Sequence, residues 1–260
     1  MINFEKIENE SAALSEKFKS GIIEHIVIDN FLDEHLAVAL HNELPDPINE
    51  GIKKSRDYIF AKNKFEKSDL KSIGQNCSKL YGDLTSDRFQ NFLKKVSGEN
   101  VFVDPKFHGG GLHQGGNGSF LDMHADFNFH PINNNWFRNL NILIYLNPDW
   151  KAGYGGQLKL VNKKDGRSTQ IAPIFNRCII MFTRDYTLHG YDTINFPKGE
   201  YRRSIAAYAY TEVENNESVI RSTTWYPEQG GFLKKVIGKS WPLLVKAKSK
   251  IIKSSTARNN

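Results

Sequence analysis

His124-Ala125-Asp126 sets an imidazole and a carboxylate two residues apart in a segment that reads as extended. In a strand, side chains at i and i+2 leave the same face, so both groups point into whatever lies on that side. A further histidine, His189, follows the apolar run Cys178-Ile179-Ile180-Met181-Phe182 and opens Leu188-His189-Gly190-Tyr191. Placed on a neighbouring strand, it would complete a set of two imidazoles and one carboxylate. Such a set holds one face of an octahedral metal and leaves three positions open. A structural zinc site would be closed by four ligands, often thiolates. Cys77 and Cys178 are the only cysteines, and they have no Cys-x-x-Cys spacing. Taken singly, His-x-Asp also fits a surface pair or a histidine bonded to a nearby acid.

Open metal positions are what a non-haem iron oxygenase needs for a cosubstrate and O2. Arg202, 13 residues beyond His189, opens the strand-like Arg202-Arg203-Ser204-Ile205-Ala206-Ala207-Tyr208. A buried guanidinium requires an anion, and its planar fork matches a carboxylate. Either arginine can instead be solvated or paired with a local acid such as Glu200 or Asp192, and Arg203 is read that way. Asn141, Leu143 and Tyr145 share one face of a strand, where Tyr145 is as readily a core aromatic as a hydroxyl donor.

Taken in order, these motifs resemble the prolyl-4-hydroxylase-like branch of the Fe(II)/2-oxoglutarate oxygenases, from about Ile22 to Tyr210. Ile26-Val27-Ile28-Asp29-Asn30-Phe31-Leu32 looks like the family's entry strand and helix. Gly118-Ser119-Phe120-Leu121 leads into His124-Ala125-Asp126-Phe127-Asn128, and Asn141 to Trp150 looks like its strand ending in Tyr-Leu-Asn with a nearby Trp. Gly155-Gly156-Gln157-Leu158 matches its Gly-Gly-x-Leu turn, Pro173 to Arg177 the approach to the distal histidine, and Arg202-Arg203-Ser204-Ile205 its closing Arg-x-Ser.

The resemblance implies a mainly β fold with N-terminal helices: a double-stranded β-helix, jelly-roll or cupin-like, backed by helices. It implies iron bound by His124, Asp126 and His189, which form the catalytic centre. Arg202 would pair with the distal carboxylate of 2-oxoglutarate, and Tyr145 would donate to the same group. The cofactors implied are Fe(II), 2-oxoglutarate and O2, with ascorbate as a reductant. The activity implied is a dioxygenase hydroxylating a C–H bond of a prolyl-type protein residue or a small molecule, with release of succinate and CO2. Related halogenases lack the carboxylate, so Asp126 disfavours halogenation. The alternative is a non-oxidative cupin-like metal protein or isomerase, which would have no need of Arg202 and Tyr145.

One departure stands out. Some relatives carry a tyrosine about ten residues before the first histidine to meet the C1 end of the cosubstrate. Here that region is His113-Gln114-Gly115-Gly116; Gln114 is the cofactor-binding candidate, with His113 as the other choice. Gly109-Gly110-Gly111 and Gly115-Gly116 read as a flexible wall or a plain loop. Asn128, His130 and Trp136, with Arg138, are the candidate substrate residues at the pocket mouth. His130 precedes Pro131 and is equally an ordinary loop residue; His25, His35, His41 and His108 have no partner pattern.

The supporting elements follow from pattern. Residues 1–21 read as a polar lead-in and 22–212 as one catalytic domain, with helical support over 33–97 and a β-helix core over 101–212. A strand over Ile22–Ile28 precedes a helix capped by Asp33; residues 46–66 read as irregular; helices follow over 68–84 and from Ser86 to Gly98. Eight strands are expected: 101–113, 118–125, 138–147, 156–161, 169–172, 177–183, 187–193 and 202–210.

Bulk properties agree with a folded chain of 260 residues, 39% apolar and 12% aromatic, enough for one sizeable core. Two unlike cysteines make no disulfide framework, and no leader or spanning segment is visible, so a cytoplasmic location is expected. The net charge of +6 is concentrated in 213–260, where Phe232 to Asn260 holds eight Lys or Arg and no acid. This basic tail reads as a docked or frayed helix, with contact to an anionic membrane the other option. No nucleic-acid motif is present. The partner expected is a protein or small-molecule substrate.

Overall fold

The computed structural model describes residues 1–48, 52–55, 57–214, 220–241 and 243. Among the described residues, six α-helices and four further strands surround an eight-stranded sheet. In chain order the elements are α1 (Phe4–Asn9), α2 (Ser11–Ser20), β1 (His25–Asp29), α3 (Glu34–Glu43), β2 (Lys53–Lys54), β3 (Ala61–Lys67), α4 (Gln75–Leu84), α5 (Asp87–Ser97) and β4 (Phe102–Val103). There follow β5 (Gly111–Ala125), β6 (Trp136–Tyr145), β7 (Leu158–Asn162), β8 (Ser168–Ile171), β9 (Arg177–Phe182), β10 (Thr187–Tyr191), β11 (Arg202–Glu212) and β12 (Thr224–Trp225). Residues 231–241 form a further helix, α6.

One sheet runs β1-β9-β6-β11-β5-β10-β7-β8, and every pairing described is antiparallel. It curls into a half-barrel, the mainly β architecture with helical backing expected from the sequence. Period-2 alternation decides what each strand offers to either side. Leu140, Ile142 and Ile144 of β6 join Cys178 and Ile180 of β9 and Ile205 and Ala207 of β11 in a core shared with the helices. The intervening Asn141, Leu143, Tyr145 and Ser204 line the inner cavity. Each aliphatic side chain buried on the helical side contributes roughly 1.5–3 kcal/mol, so the register that aims the polar set inward is strongly held.

The helix ends follow their caps. The Asp33 carboxylate accepts from Leu36 N, Ser86 Oγ from Phe89 N, and Gly98 ends α5 in the left-handed region at φ 78°.

Three expectations are corrected. The polar lead-in is helical: Ile7, Leu14 and Phe18 are buried in the main core, and a four-residue spacing amid charge hid a narrow apolar stripe. The stretch 46–66 contains β3, which pairs with β5; its alternation is weak because its inward residues Lys64 and Glu66 face a polar cavity. The expected strands 101–113 and 118–125 are instead the short β4 and the single long β5, which runs through Gly115, Gly116 and Gly118. Those glycines build a strand under close approach, since a Cβ on Gly115 would stand 2.9 Å from Ser119 Oγ.

Both cysteines are buried and free. Among the described residues no helix is long and apolar enough to cross a membrane. Within the basic tail, α6 is docked on the body: Lys234 Nζ lies 2.6 Å from Asp122 Oδ2, and Trp241 stacks on Tyr58. Residues 244–260 lie outside the described residues.

Candidate active site

β5 and β10 lie side by side with His124 directly opposite His189. Opposed residues of an antiparallel pair share a face, so the two rings project together, with centroids 4.2 Å apart. Asp126 follows the end of β5 and turns back beneath them. Its Oδ1 is 3.4 Å from His124 Nε2 and its Oδ2 is 3.4 Å from His189 Nε2. All three side chains are buried.

The protonation pattern suits a cation. His124 Nδ1 lies 2.9 Å from the Asp122 carbonyl oxygen, which only accepts. The ring proton is therefore on Nδ1, and Nε2 presents a lone pair to the cluster. Burial, helped by the His124 ring, pushes His189 down to about 3, which keeps it neutral. Burial opposes ionisation of Asp126, but Arg138 above all, then His189 and His124, hold its carboxyl well below the usual carboxylate range. Arg138 Nη2 stands 3.0 Å from Asp126 Oδ2. Arg138 thus supports the carboxylate from behind instead of lining the pocket mouth. Two imidazoles, that of His189 held neutral, and one ionised carboxylate, converging in a buried site, are the donors a divalent iron takes.

The other end of the cavity is built for an anion. Arg202 is buried; its Nε donates to Gly156 O at 2.7 Å and its Nη2 to Tyr145 Oη at 2.9 Å. No carboxylate of the described residues is in ion-pair range, so the rest of its fork lacks an acid. Burial raises the Tyr145 hydroxyl against the pull of Arg202, so it stays protonated and its O–H remains free to donate. Gly156 sits at φ 79°, and a Cβ there would lie 3.0 Å from Arg202 Cδ; the Gly-Gly turn lets the guanidinium pass. Arg203 points to the opposite face, into a separate cleft with His41. The triad, Arg202 and Tyr145 line one cavity of about 230 Å³.

Other sequence candidates are distributed differently. Gln114 borders the cavity, but its amide nitrogen donates to Pro45 O at 3.1 Å. Register pairs Gln114 with Arg203 and His113 with Ser204, so His113 shares the face of Ser204. Asn128, His130 and Trp136 do not line this cavity. Asn128 Oδ1 accepts from Arg221 N at 2.7 Å, and Trp136 packs edge-on against Phe102.

His130 belongs to a second constellation, with Asp104 and His108. His108, read from sequence as partnerless, has Nδ1 2.9 Å from Asp104 Oδ2, and His130 Nε2 is 3.0 Å from His108 Nδ1. The backbone N–H groups of Ile132 and Asn133 both donate to His130 Nδ1. The neutral ring therefore carries its proton on Nε2, the atom a metal would need. Asp104 also accepts from the backbone N–H groups of Lys106 and His108. This cluster is a hydrogen-bonded lock between two loops.

Residues missed in the sequence include Trp225, Tyr58, Lys64 and Glu66, all of which line the cavity. For Lys64 and Glu66 the signal lies in Lys64-Phe65-Glu66, a polar-apolar-polar alternation.

Residues 110–210 match the family model of the 2OG-Fe(II) oxygenase superfamily. The matched segment runs from β5 to β11 and contains the triad, Tyr145 and Arg202. The superfamily implies Fe(II) and 2-oxoglutarate, and the donor set fits both. No curated protein matches the chain in sequence. Among solved structures, a prolyl-4-hydroxylase of Pseudomonas putida is similar, with TM-score 0.57 and 15% identity, over 79% of this chain and 100% of that one. A Trichoplax adhaerens prolyl hydroxylase, solved with a hypoxia inducible factor oxygen degradation domain peptide, gives 0.59 and 16%, over 79% and 91%. The epimerase SnoN, solved with Fe3+, alpha ketoglutarate and nogalamycin RO, gives 0.55 and 10%, over 85% and 87%. At these identities the likeness is one of fold.

Proposed function

We propose that the protein is an Fe(II)- and 2-oxoglutarate-dependent dioxygenase that hydroxylates a C–H bond of a prolyl-type protein residue or a small molecule. The observation that carries this reading is the single cavity joining the His124–Asp126–His189 cluster to the Arg202–Tyr145 pair. A metal-only isomerase has no use for the second pair.

Overall, R–H, O2 and 2-oxoglutarate give R–OH, succinate and CO2: one oxygen atom enters the product and the other enters succinate. Iron, when bound, supplies the oxidising chemistry on O2. His124 and His189 would hold it through Nε2, and Asp126 through the carboxylate oxygen that Arg138 leaves free. Arg202 would meet the distal carboxylate with its remaining N–H groups while Tyr145 donates its hydroxyl. Arg202 is fixed in advance by Gly156 O, so little ordering cost falls on binding. Leu143 and Leu158 close the wall between the two ends and exclude water. Ascorbate would serve as external reductant. Contact with an anionic membrane would run through the basic tail, 213–260, of which residues 244–260 lie outside the described residues.

The test is 2-oxoglutarate turnover. Purified protein with Fe(II), ascorbate and labelled 2-oxoglutarate should release labelled succinate in air, slowly without substrate. His124→Ala should abolish release. Release by the variant at the wild-type rate, or none by iron-loaded wild type, would sink the reading.

A further inference from the structure

The superfamily match ends at residue 210, but the cavity wall does not: Thr223 and Trp225 are part of it. Residues 220–241 are stitched along β5. Arg221 Nη2 donates to Asp126 O at 2.9 Å, Tyr226 N donates to Met123 O at 2.7 Å, and Lys234 reaches Asp122. Trp225 pairs directly opposite His124. Its ring lies between Phe60, stacked at 5.0 Å and 7°, and His124, at 4.8 Å and 33°.

Trp225 is 4% exposed, and its indole Nε1 has no hydrogen-bond partner among the described residues. An indole N–H can only donate. Left unpaired in a buried wall it is costly, so a native structure that keeps one there calls for an acceptor. In this cavity a ligand can bring it.

We propose that Trp225 is a positioning residue whose indole N–H donates to the metal-proximal carboxylate of bound 2-oxoglutarate. This rests on the oxygenase reading. An oxo-acid chelating through one carboxylate oxygen leaves the other oxygen charged inside the cavity, and that oxygen needs a donor. Several neighbouring groups are partly engaged or present acceptors. One N–H of the Gln114 amide is held by Pro45 O. His113 is bonded to the backbone of Gly109 and Gly110 through its other nitrogen, which leaves Nε2 as a bare acceptor. Arg202 and Tyr145 serve the distal end. Trp225 brings a buried, unpaired N–H to the wall beside His124.

Indole N–H signals of the full-length 15N-labelled protein test this directly, with diamagnetic Zn(II) in place of iron. The chain has four tryptophans, and the Trp225 signal is the one missing from Trp225→Phe. If that variant fails to fold, Trp136→Phe, Trp150→Phe and Trp241→Phe assign it by elimination. Zn(II) followed by 2-oxoglutarate should move the Trp225 proton downfield by at least about 0.5 ppm and slow its exchange with solvent, whereas Zn(II) alone should not. Trp225→Phe should bind Zn(II) as wild type does but 2-oxoglutarate roughly tenfold more weakly, as loss of one bond to a charged group predicts. A Trp225 signal unmoved by bound 2-oxoglutarate, or unchanged affinity in Trp225→Phe, overturns this inference and leaves the oxygenase reading standing. Failure of wild type to bind 2-oxoglutarate at all overturns both.

Discussion

Arg138 Nη2 stands 3.0 Å from Asp126 Oδ2, with the arginine side chain 1% exposed and the aspartate 11%. A guanidinium this deep is tolerable because it faces a carboxylate and lies over the rings of Tyr208 and Phe127. Removing one partner of a buried pair strands the other, at a cost of roughly 3–5 kcal/mol. Arg138→Met should therefore lower the melting temperature of metal-free protein by roughly 5–10 °C. A bound divalent cation replaces the lost positive charge, so Zn(II) should stabilise Arg138→Met more than wild type. Thermal unfolding with and without Zn(II) measures both; equal Zn(II) stabilisation would contradict the pairing.

His113 makes a pH-dependent contribution. Burial, and then Lys64, push its ring down to about 3, while an unfolded histidine titrates near 6.5. Between these values the unfolded chain takes up a proton that the folded chain refuses, so stability rises with pH. The stabilisation is complete above about pH 6.5 and is lost as pH falls towards 3. His113→Gln should lessen the slope of unfolding free energy against pH in metal-free protein by up to about 1.4 kcal/mol per unit. Denaturant titrations at pH 5 and pH 7 give the slopes, and an identical slope would rule His113 out.

The Asp104–His108–His130 lock predicts a stoichiometry. Its proton arrangement leaves no lone pair on His130 Nε2, so wild type should bind one Zn(II) or Fe(II) per chain, not two. His130→Ala should lose stability, because the Ile132 and Asn133 N–H groups lose their acceptor, yet still bind one metal. Two metals in wild type and one in the variant would make the cluster a site after all.

Several of these features were legible in the sequence, and the reason is local. His124 lies near the end of β5 with Asp126 one residue beyond it, and Arg202 and Ser204 fall at i and i+2 of β11. Where the period-2 pattern of a strand meets an apolar core on one side, as in β6 and β9, register follows from the residues themselves. β3 was lost because its inward side faces a polar cavity, so alternation no longer tracks burial. α1 and α2 were lost because Ile7, Leu14 and Phe18 are a thin stripe in a charged segment. The partners of His130 and the place of Trp225 escape the sequence for a different reason. Their partners, Asp104 and His124, are 26 and 101 residues away, a separation no local pattern encodes.

Arg202 and Arg203 are adjacent in sequence and opposite in orientation. Arg202 holds Gly156 O and Tyr145 in the cavity, and Arg203 faces the cleft with His41. Arg202→Met should weaken 2-oxoglutarate binding at least a hundredfold in Zn(II)-loaded protein, consistent with loss of a forked ionic contact. Arg203→Met should change it less than threefold. Gly156→Ala, strained at φ 79° and crowding Arg202, should resemble Arg202→Met. Equilibrium dialysis of labelled 2-oxoglutarate ranks the three, and the reverse order of the two arginine variants would move the anchor by one residue.

The central claim is that one cavity holds iron and 2-oxoglutarate together. Its most direct test is the visible absorption of anaerobic protein titrated with Fe(II) and then with 2-oxoglutarate. A weak charge-transfer band should appear only on the second addition, be absent from His189→Ala, and bleach when O2 is admitted. A wild-type protein that binds Fe(II) and shows no such band, or a band undiminished in His189→Ala, would contradict the account.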